Sequence, residues 1–211
     1  MTIEEEIKLT ASSAAVLDAL ATDPVVLTNA REQALQTRTL LATYYDTADH
    51  RLLQHQLAFR LRQESSGGLR ANLKGTGGMV DGVSRRQEWE ERLTAPITRW
   101  GELPDGTMRE QILAVLQPDE PLVPLFVTDF QRRLCQLQLE DSRAEMALDQ
   151  GEIRTSNAVH PLCEVELERL EGPLAPIRAF ADDLLRRYAL VPSQRSKFGL
   201  GMALLGRHED M

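Results

Sequence analysis

Three short stretches place carboxylates two residues apart: Glu4 and Glu6, Glu88 and Glu90, Glu164 and Glu166. In an extended strand alternate side chains point to opposite faces, so each pair shares one face. Lys8 continues the first row, while Ile3, Ile7 and Leu9 take the other face. Two like charges ~4 Å apart cost about 4 kcal/mol at an effective dielectric near 20. Such pairs therefore call for a cation between them, either a metal ion or Arg and Lys side chains. Arg60, Arg62, Lys74, Arg86 and Arg132 stand on strand-like runs in matching parity, opposite apolar neighbours such as Phe59, Leu61, Ala71 and Leu73. A solvated polar face would explain one such strand. Its return on three distant strands favours a shared, enclosed site.

A strand face this charged, in both signs, suits the lumen of a closed barrel holding water, metal and anions. Carboxylate clusters bind hard divalent cations, which in turn hold phosphate oxygens. Arginine forks and lysine point charges bind the remaining phosphate oxygens. Such a lumen has what hydrolysis of a polyphosphate requires: charge neutralisation, an activated water and cations that orient the chain. Without metal, the clustered acids Glu4 and Glu6 are expected to burden the fold.

The elements that must position these residues read as an α+β chain. Strands are predicted at about 3–9, 39–46, 57–63, 69–74 and 83–93. Further strand-like runs cover about 126–133, 134–139, 144–150 and 162–170, and the whole reads as roughly eight antiparallel strands in one domain over residues 1–211. Ser12 or Ser13 caps a short helix that Asp23-Pro24 ends, and a polar turn follows at 47–51. Ser65-Ser66-Gly67-Gly68 reads as a hairpin turn. The glycines of Gly75-Thr76-Gly77-Gly78 follow Lys74 instead of preceding it, so they form a hairpin connection and not a phosphate loop. Residues 94–124 hold five of the ten prolines and a helix at about 108–116, packed over the sheet. An amphipathic helix over 173–189 contributes core only, and a shorter helical tail holds Ser196-Lys197-Phe198.

A net charge of −8, from 32 acidic and 24 basic side chains, argues against general affinity for nucleic acid or anionic membranes. The acidic start is unlike a signal peptide and no apolar run reaches membrane-helix length, which places the chain in the cytoplasm. Cys135 and Cys163 lack metal-ligand spacing and read as buried free thiols. His50, His55, His160 and His208 form no HExxH cluster, so a zinc hydrolase has no support.

Glu4-x-Glu6-x-Lys8 resembles the ExExK signature of CYTH domains, the triphosphate tunnel metalloenzymes. Further matches follow in order: Tyr44-Tyr45-Asp46-Thr47, Phe59-Arg60-Leu61-Arg62, Lys74, Arg86-x-Glu88-x-Glu90, Asp129-Phe130-x-Arg132, Ala147-Leu148-Asp149-x-Gly151, Cys163-Glu164-x-Glu166-Leu167 and Ser196-Lys197. The resemblance is strongest to bacterial inorganic triphosphatases whose CYTH domain precedes a helical CHAD domain; this chain is either a stand-alone relative or the first domain of a longer protein. The resemblance implies an eight-stranded antiparallel closed β-barrel with helices packed outside, binding triphosphate and Mg²⁺ or Mn²⁺. Glu4, Glu6, Asp149, Glu164 and Glu166 would surround the metals. Arg60, Arg62, Lys74, Arg86, Arg132 and Lys197 would grip phosphates. Lys8 would sit by the reacting phosphate, either orienting water or binding charge. Glu88 and Glu90 would support metal-bound water or pair with arginines, and Glu168 extends the acidic row. Hydrolysis of inorganic triphosphate is the leading expectation. Nucleoside or thiamine triphosphate hydrolysis, class IV adenylate cyclisation and non-catalytic polyphosphate binding are the alternatives.

Overall fold

Apolar side chains alternating with charged ones give the strands of this chain two usable faces, one for a core outside and one for a polar interior. The computed structural model describes residues 1–206 apart from Gln33, Ser66, Asp81 and Gln194, and without the side chain of Thr76. Ser66 of the expected hairpin turn and His208 therefore lie outside the described residues. The strands are β1 (Thr2–Ala11), β2 (Gln36–Asp46), β3 (Ala58–Glu64), β4 (Leu69–Val80), β5 (Val83–Leu93), β6 (Val123–Leu139), β7 (Ser142–Arg154), β8 (Val159–Glu171) and β9 (Leu190–Pro192). The helices are α1 (Ala14–Ala21), α2 (Pro24–Asn29), α3 (Arg51–Gln54), α4 (Thr107–Leu113), α5 (Ala175–Arg187) and α6 (Lys197–Leu204), with a 3₁₀ turn at Trp100–Glu102.

The strands form one sheet in the order β5-β4-β3-β2-β6-β7-β8-β1-β9, and β1 also pairs with β5. Eight antiparallel strands thus close into a barrel, while three-residue β9 only adds to β1 at Leu9–Ala11. The closing seam is short: β1 gives Thr2–Glu6 to β5 and Glu6–Thr10 to β8.

Two apolar cores coat the barrel outside. Leu17, Leu20 and Val26 of α1 and α2, with Ile177, Phe180 and Leu184 of α5, pack on the outward residues of β1, β6, β7 and β8. Trp100, Met108, Ile112 and Leu116 cover Phe59, Leu61, Leu73 and Trp89 of β3 to β5, as expected for the 94–124 connection. The third core sits on the inner face. Phe198 and Met202 of α6 join Leu40, Tyr44, Phe126, Phe130, Ile153 and Leu162, which share strand parity with the charged lumen residues, so α6 fills one end of the barrel. Ser196 caps α6, its Oγ accepting from the Gly199 amide at 3.0 Å. Gly201 permits the close fit, because a Cβ there would lie 2.3 Å from the Phe126 ring.

Several local expectations are corrected. The runs 126–133 and 134–139 are one strand, β6, because its partners β2 and β7 run the length of both. Asp23-Pro24 starts α2 as well as ending α1: Asp23 Oδ1 accepts from the Val25 and Val26 amides at 2.7 and 3.1 Å, and Pro24 takes the first helical position, where no amide is needed. Ser13 precedes α1 without a side-chain cap bond. The turn expected at 47–51 leads into α3, whose first amides are held by buried Asp46, with Leu52 and Leu53 donating to its carboxylate at 2.8 and 3.1 Å. Gly75 to Gly78 lie within β4, which is longer than expected and carries a register shift between Lys74 and Gly77. Both cysteines are free, Cys135 buried and Cys163 half-buried.

Candidate functional site

Cross-strand register decides which lumen side chains meet. Arg132, Asp149, Glu164 and Thr10 are partners across β6, β7, β8 and β1. Glu166 lies opposite Lys8, and Glu4 opposite Arg86. Glu90, Asn72, Arg60 and Tyr44 form another row across β5 to β2. The result is one cavity of about 270 Å³ inside the barrel, reached by Glu4, Lys8, Arg60, Arg62, Lys74, Arg86, Glu88, Glu90, Arg132, Glu166 and Lys197. Glu6, Asp149 and Glu164 are buried in the wall beside it.

The seven carboxylates expected to hold metal fall into three groups. Asp149, Glu164 and Glu166 each offer an oxygen within 4.8 Å of one another. Lys197, the first residue of α6, reaches all three at 2.8, 2.6 and 2.8 Å. Arg132 forks onto both Asp149 oxygens at 2.7 Å and touches Glu166 at 2.5 Å. In the second group, Lys74 holds both Glu4 oxygens at 2.7 Å, and Arg86 approaches Glu4 at 3.6 Å and Glu6 at 3.1 Å. Lys8 lies between Glu6 at 3.2 Å and Glu166 at 3.1 Å, linking the first two groups. The expected repulsion between Glu4 and Glu6 is thus offset by three protein cations. Glu88 and Glu90 form the third group: Asn72 donates to both, Lys74 stands 3.8 Å from Glu88, and Arg62 and Arg70 pair with Glu90.

Electrostatics follow from this pairing. Burial alone would raise the carboxyl of Glu166, but Lys197, Lys8 and Arg132 outweigh it and hold it well below the carboxylate range. Burial would lower Lys197 and Lys8, yet surrounding carboxylates raise both, so each remains a cation. Glu4 is lowered in the same way, Lys74 overcoming its burial. Glu168 departs from the others: burial, then the charge of Glu4, pushes it up to about 8.

A divalent metal fits the first group by an observation independent of its charge. Glu164 Oε1 is buried and has no hydrogen-bond partner among the described residues, which leaves a lone pair beside two further carboxylates. The Lys197 ammonium occupies part of the same space. Asn72, which shares the Lys74 face by strand parity, lines the cavity, and so do Arg38, Tyr44, Glu64 and Glu145, which parity alone does not single out. Extending the Arg60/Arg62 row by two residues reaches Glu64. Tyr44 stood only in a motif; its ring stacks on Phe126 at 4.6 Å, and its hydroxyl accepts from Arg60 Nη1 at 3.2 Å. The Asp46 of that motif is a helix cap outside the site.

The CYTH domain family model matches residues 2–195. The inorganic triphosphatase of Haemophilus influenzae is 31% identical over 163 residues, covering 77% of this chain and 45% of that protein. The chain therefore spans less than half the length of that relative. A solved Hippeastrum structure, described as a candidate adenylyl cyclase with a dominant triphosphatase activity, superposes with a TM-score of 0.71 at 20% identity, over 97% of this chain and 96% of that one. A Pyrococcus horikoshii protein gives a TM-score of 0.56 at 13% identity, over 96% and 99% of the two chains. At these identities the likeness to the solved structures is one of fold.

Proposed function

The chain belongs to the CYTH domain family, and from that premise we propose that its barrel hydrolyses inorganic triphosphate to pyrophosphate and phosphate with Mg²⁺ or Mn²⁺. The observation that carries this reading is one partly open cavity joining a wall of cations to Glu166 of a buried carboxylate trio, in which Glu164 Oε1 has no hydrogen-bond partner among the described residues. The Haemophilus relative, named an inorganic triphosphatase, supports the same substrate.

In this reading Asp149, Glu164 and Glu166, with Glu4 and Glu6, hold the metal, and Glu88 and Glu90 order the groups around it. A bound divalent cation would offset phosphate charge and lower the pKa of a bound water. Arg60, Arg62, Lys74, Arg86, Arg132 and Lys197 bind and orient the phosphate chain. Lys8, kept protonated between Glu6 and Glu166, neutralises charge on the reacting phosphoryl group and does not act as a base. Water adds to a terminal phosphorus and releases a proton to solvent, the bridging P–O bond breaks, and pyrophosphate leaves with the electron pair. Residues 1–211 are taken as one domain, with a helical CHAD domain a partner only where the chain belongs to a longer protein. A cytoplasmic setting suits a soluble anionic substrate; among the described residues no helix is long and apolar enough to cross a membrane.

The test is phosphate release from tripolyphosphate, ATP and thiamine triphosphate, with Mg²⁺, with Mn²⁺ and with chelator. Release from tripolyphosphate should lead, vanish in chelator and return with metal. Binding without release under every condition would identify a non-catalytic polyphosphate module, and full release in chelator would refute the metal reading.

A further inference from the structure

One cation of the cavity is placed unlike the rest. Lys197 Nζ lies 2.8 Å from Asp149 Oδ2, 2.6 Å from Glu164 Oε2 and 2.8 Å from Glu166 Oε1. Among the described residues no other Lys or Arg pairs with three carboxylates; Lys8, Arg86 and Arg132 each reach two. The same three acids each bring an oxygen within 4.8 Å of the others. Divalent cations take carboxylate oxygens at about 2.0–2.6 Å. An ammonium hydrogen-bonded among these oxygens and a metal ion bound to them would overlap, so each excludes the other. Arg132 and Lys8 leave such a place open. They hold Asp149 and Glu166, whereas Glu164 has Lys197 as its one cationic partner among the described residues and keeps Oε1 unpartnered.

The lysine also has another place to go. Its backbone is fixed at the start of α6 by the Ser196 cap, and the residue lines the cavity together with Arg132 and Lys8. A lysine carries its charge on a flexible four-carbon stem with three donors, so the ammonium can leave the carboxylates for the lumen without moving the helix. Resting on the metal and triphosphate sites proposed above, we infer that Lys197 is exchanged between them: a divalent cation takes the three carboxylates from its ammonium, and the released ammonium takes a phosphate oxygen of the substrate. Lys197 thereby couples the two ligands. Metal binding frees a phosphate-binding cation, and by thermodynamic reciprocity bound triphosphate favours the metal to the same degree.

Calorimetry without turnover tests this, with Mn²⁺ as the metal and imidotriphosphate, whose bridging nitrogens resist hydrolysis, as the phosphate ligand. Lys197→Met keeps most of the stem and removes the charge. The variant should bind Mn²⁺ alone about fivefold or more tightly than the parent, because the competing ammonium is gone. With Mn²⁺ saturating, it should bind imidotriphosphate about tenfold more weakly than the parent. In chelator the difference should stay below about twofold, since there the carboxylates hold the lysine of the parent. Equal losses of imidotriphosphate affinity in the two conditions would mark Lys197 as a fixed charge and overturn the exchange, as would unchanged or weaker Mn²⁺ binding. Should the variant not fold, the parent decides by nitrogen NMR of the Lys197 ammonium, one of three lysine ammoniums in the chain. Its resonance should move when Mg²⁺ saturates the protein, and a resonance that stays in place would overturn the exchange. Failure of the parent to bind Mn²⁺ would refute the metal site and the exchange together. Coupled binding as expected but without phosphate release from tripolyphosphate would uphold the exchange and refute only the hydrolysis proposed above.

Discussion

Arg60 and Arg62 differ by two positions on one strand face, yet their surroundings assign them different work. Arg62 already holds Glu64 at 3.1 Å and Glu90 at 3.2 Å, and its charge is largely spent on them. Among the described residues Arg60 bonds only a phenol and an amide oxygen, so its charge is available to a ligand. Arg60→Ala should weaken tripolyphosphate binding by roughly tenfold or more, the range of a charge-assisted hydrogen bond of about 1.5–3 kcal/mol. Arg62→Ala should weaken it less, because Arg70 still engages Glu64 and Glu90. Calorimetry on the two variants decides; an equal or reversed order would mean that ion pairing does not ration these arginines. Raised salt should reduce the Arg60 contribution.

At the scale of elements, α2 and α5 are tied by one carboxylate. Asp23 caps α2, accepts from Arg187 Nη1 at 2.6 Å and is bonded by the Tyr188 hydroxyl just beyond α5. Burial alone would raise its pKa, but Tyr188, Arg187 and the Val26 and Val25 amides together bring it down to about 2. A carboxyl depressed in the folded state contributes stability above its unfolded pKa and loses it as pH falls through the folded one. The contribution is therefore complete above about pH 4 and fades towards pH 2. Asp23→Asn should cost about 1–2 kcal/mol at pH 7 and progressively less below pH 4, measured by denaturant unfolding. A cost that does not change with pH would show that the amide bonds alone matter. α6 works differently: it enters the barrel, so its apolar side seals one end while its first residue, Lys197, reaches the carboxylate trio.

For the whole molecule the decisive event is closure. The β1–β5 seam has five register pairs, Thr2–Glu6 against Ser84–Glu88, and Arg86 joins Glu4 and Glu6 across it. The acids at the start of the chain are thus part of what shuts the barrel, as well as candidate metal ligands. Glu4→Gln with Glu6→Gln leaves Lys74, Lys8 and Arg86 crowded without their counter-charges. The metal-free double variant should lose roughly 3 kcal/mol and melt lower than the parent, the usual result of removing one side of a buried ion pair. An unchanged or raised melting temperature in chelator would show that Glu4 and Glu6 burden the fold until metal arrives, which is what their spacing suggests by itself. The overall charge of −8 matters little to a polyanion inside, because the basic wall faces inward.

Strand parity was legible in the sequence, since a period of two needs no partner to be read. It placed Glu4, Glu6, Lys8, Arg60, Arg62, Lys74, Arg86, Glu88, Glu90, Arg132, Glu164 and Glu166 on one kind of face. The ordered motifs pointed to the closed eight-stranded barrel and its family. Pairing could not be read that way, because it depends on register between strands far apart in the chain. Whether a carboxylate meets a cationic side chain depends on which strands pair and in what register. Only the tertiary structure set Lys74 against Glu4, gathered Asp149 with Glu164 and Glu166 under Lys197, and left Arg60 without a close carboxylate among the described residues. The same holds for α6, whose short apolar stretch reads as an ordinary tail until a closed barrel offers it an interior to fill.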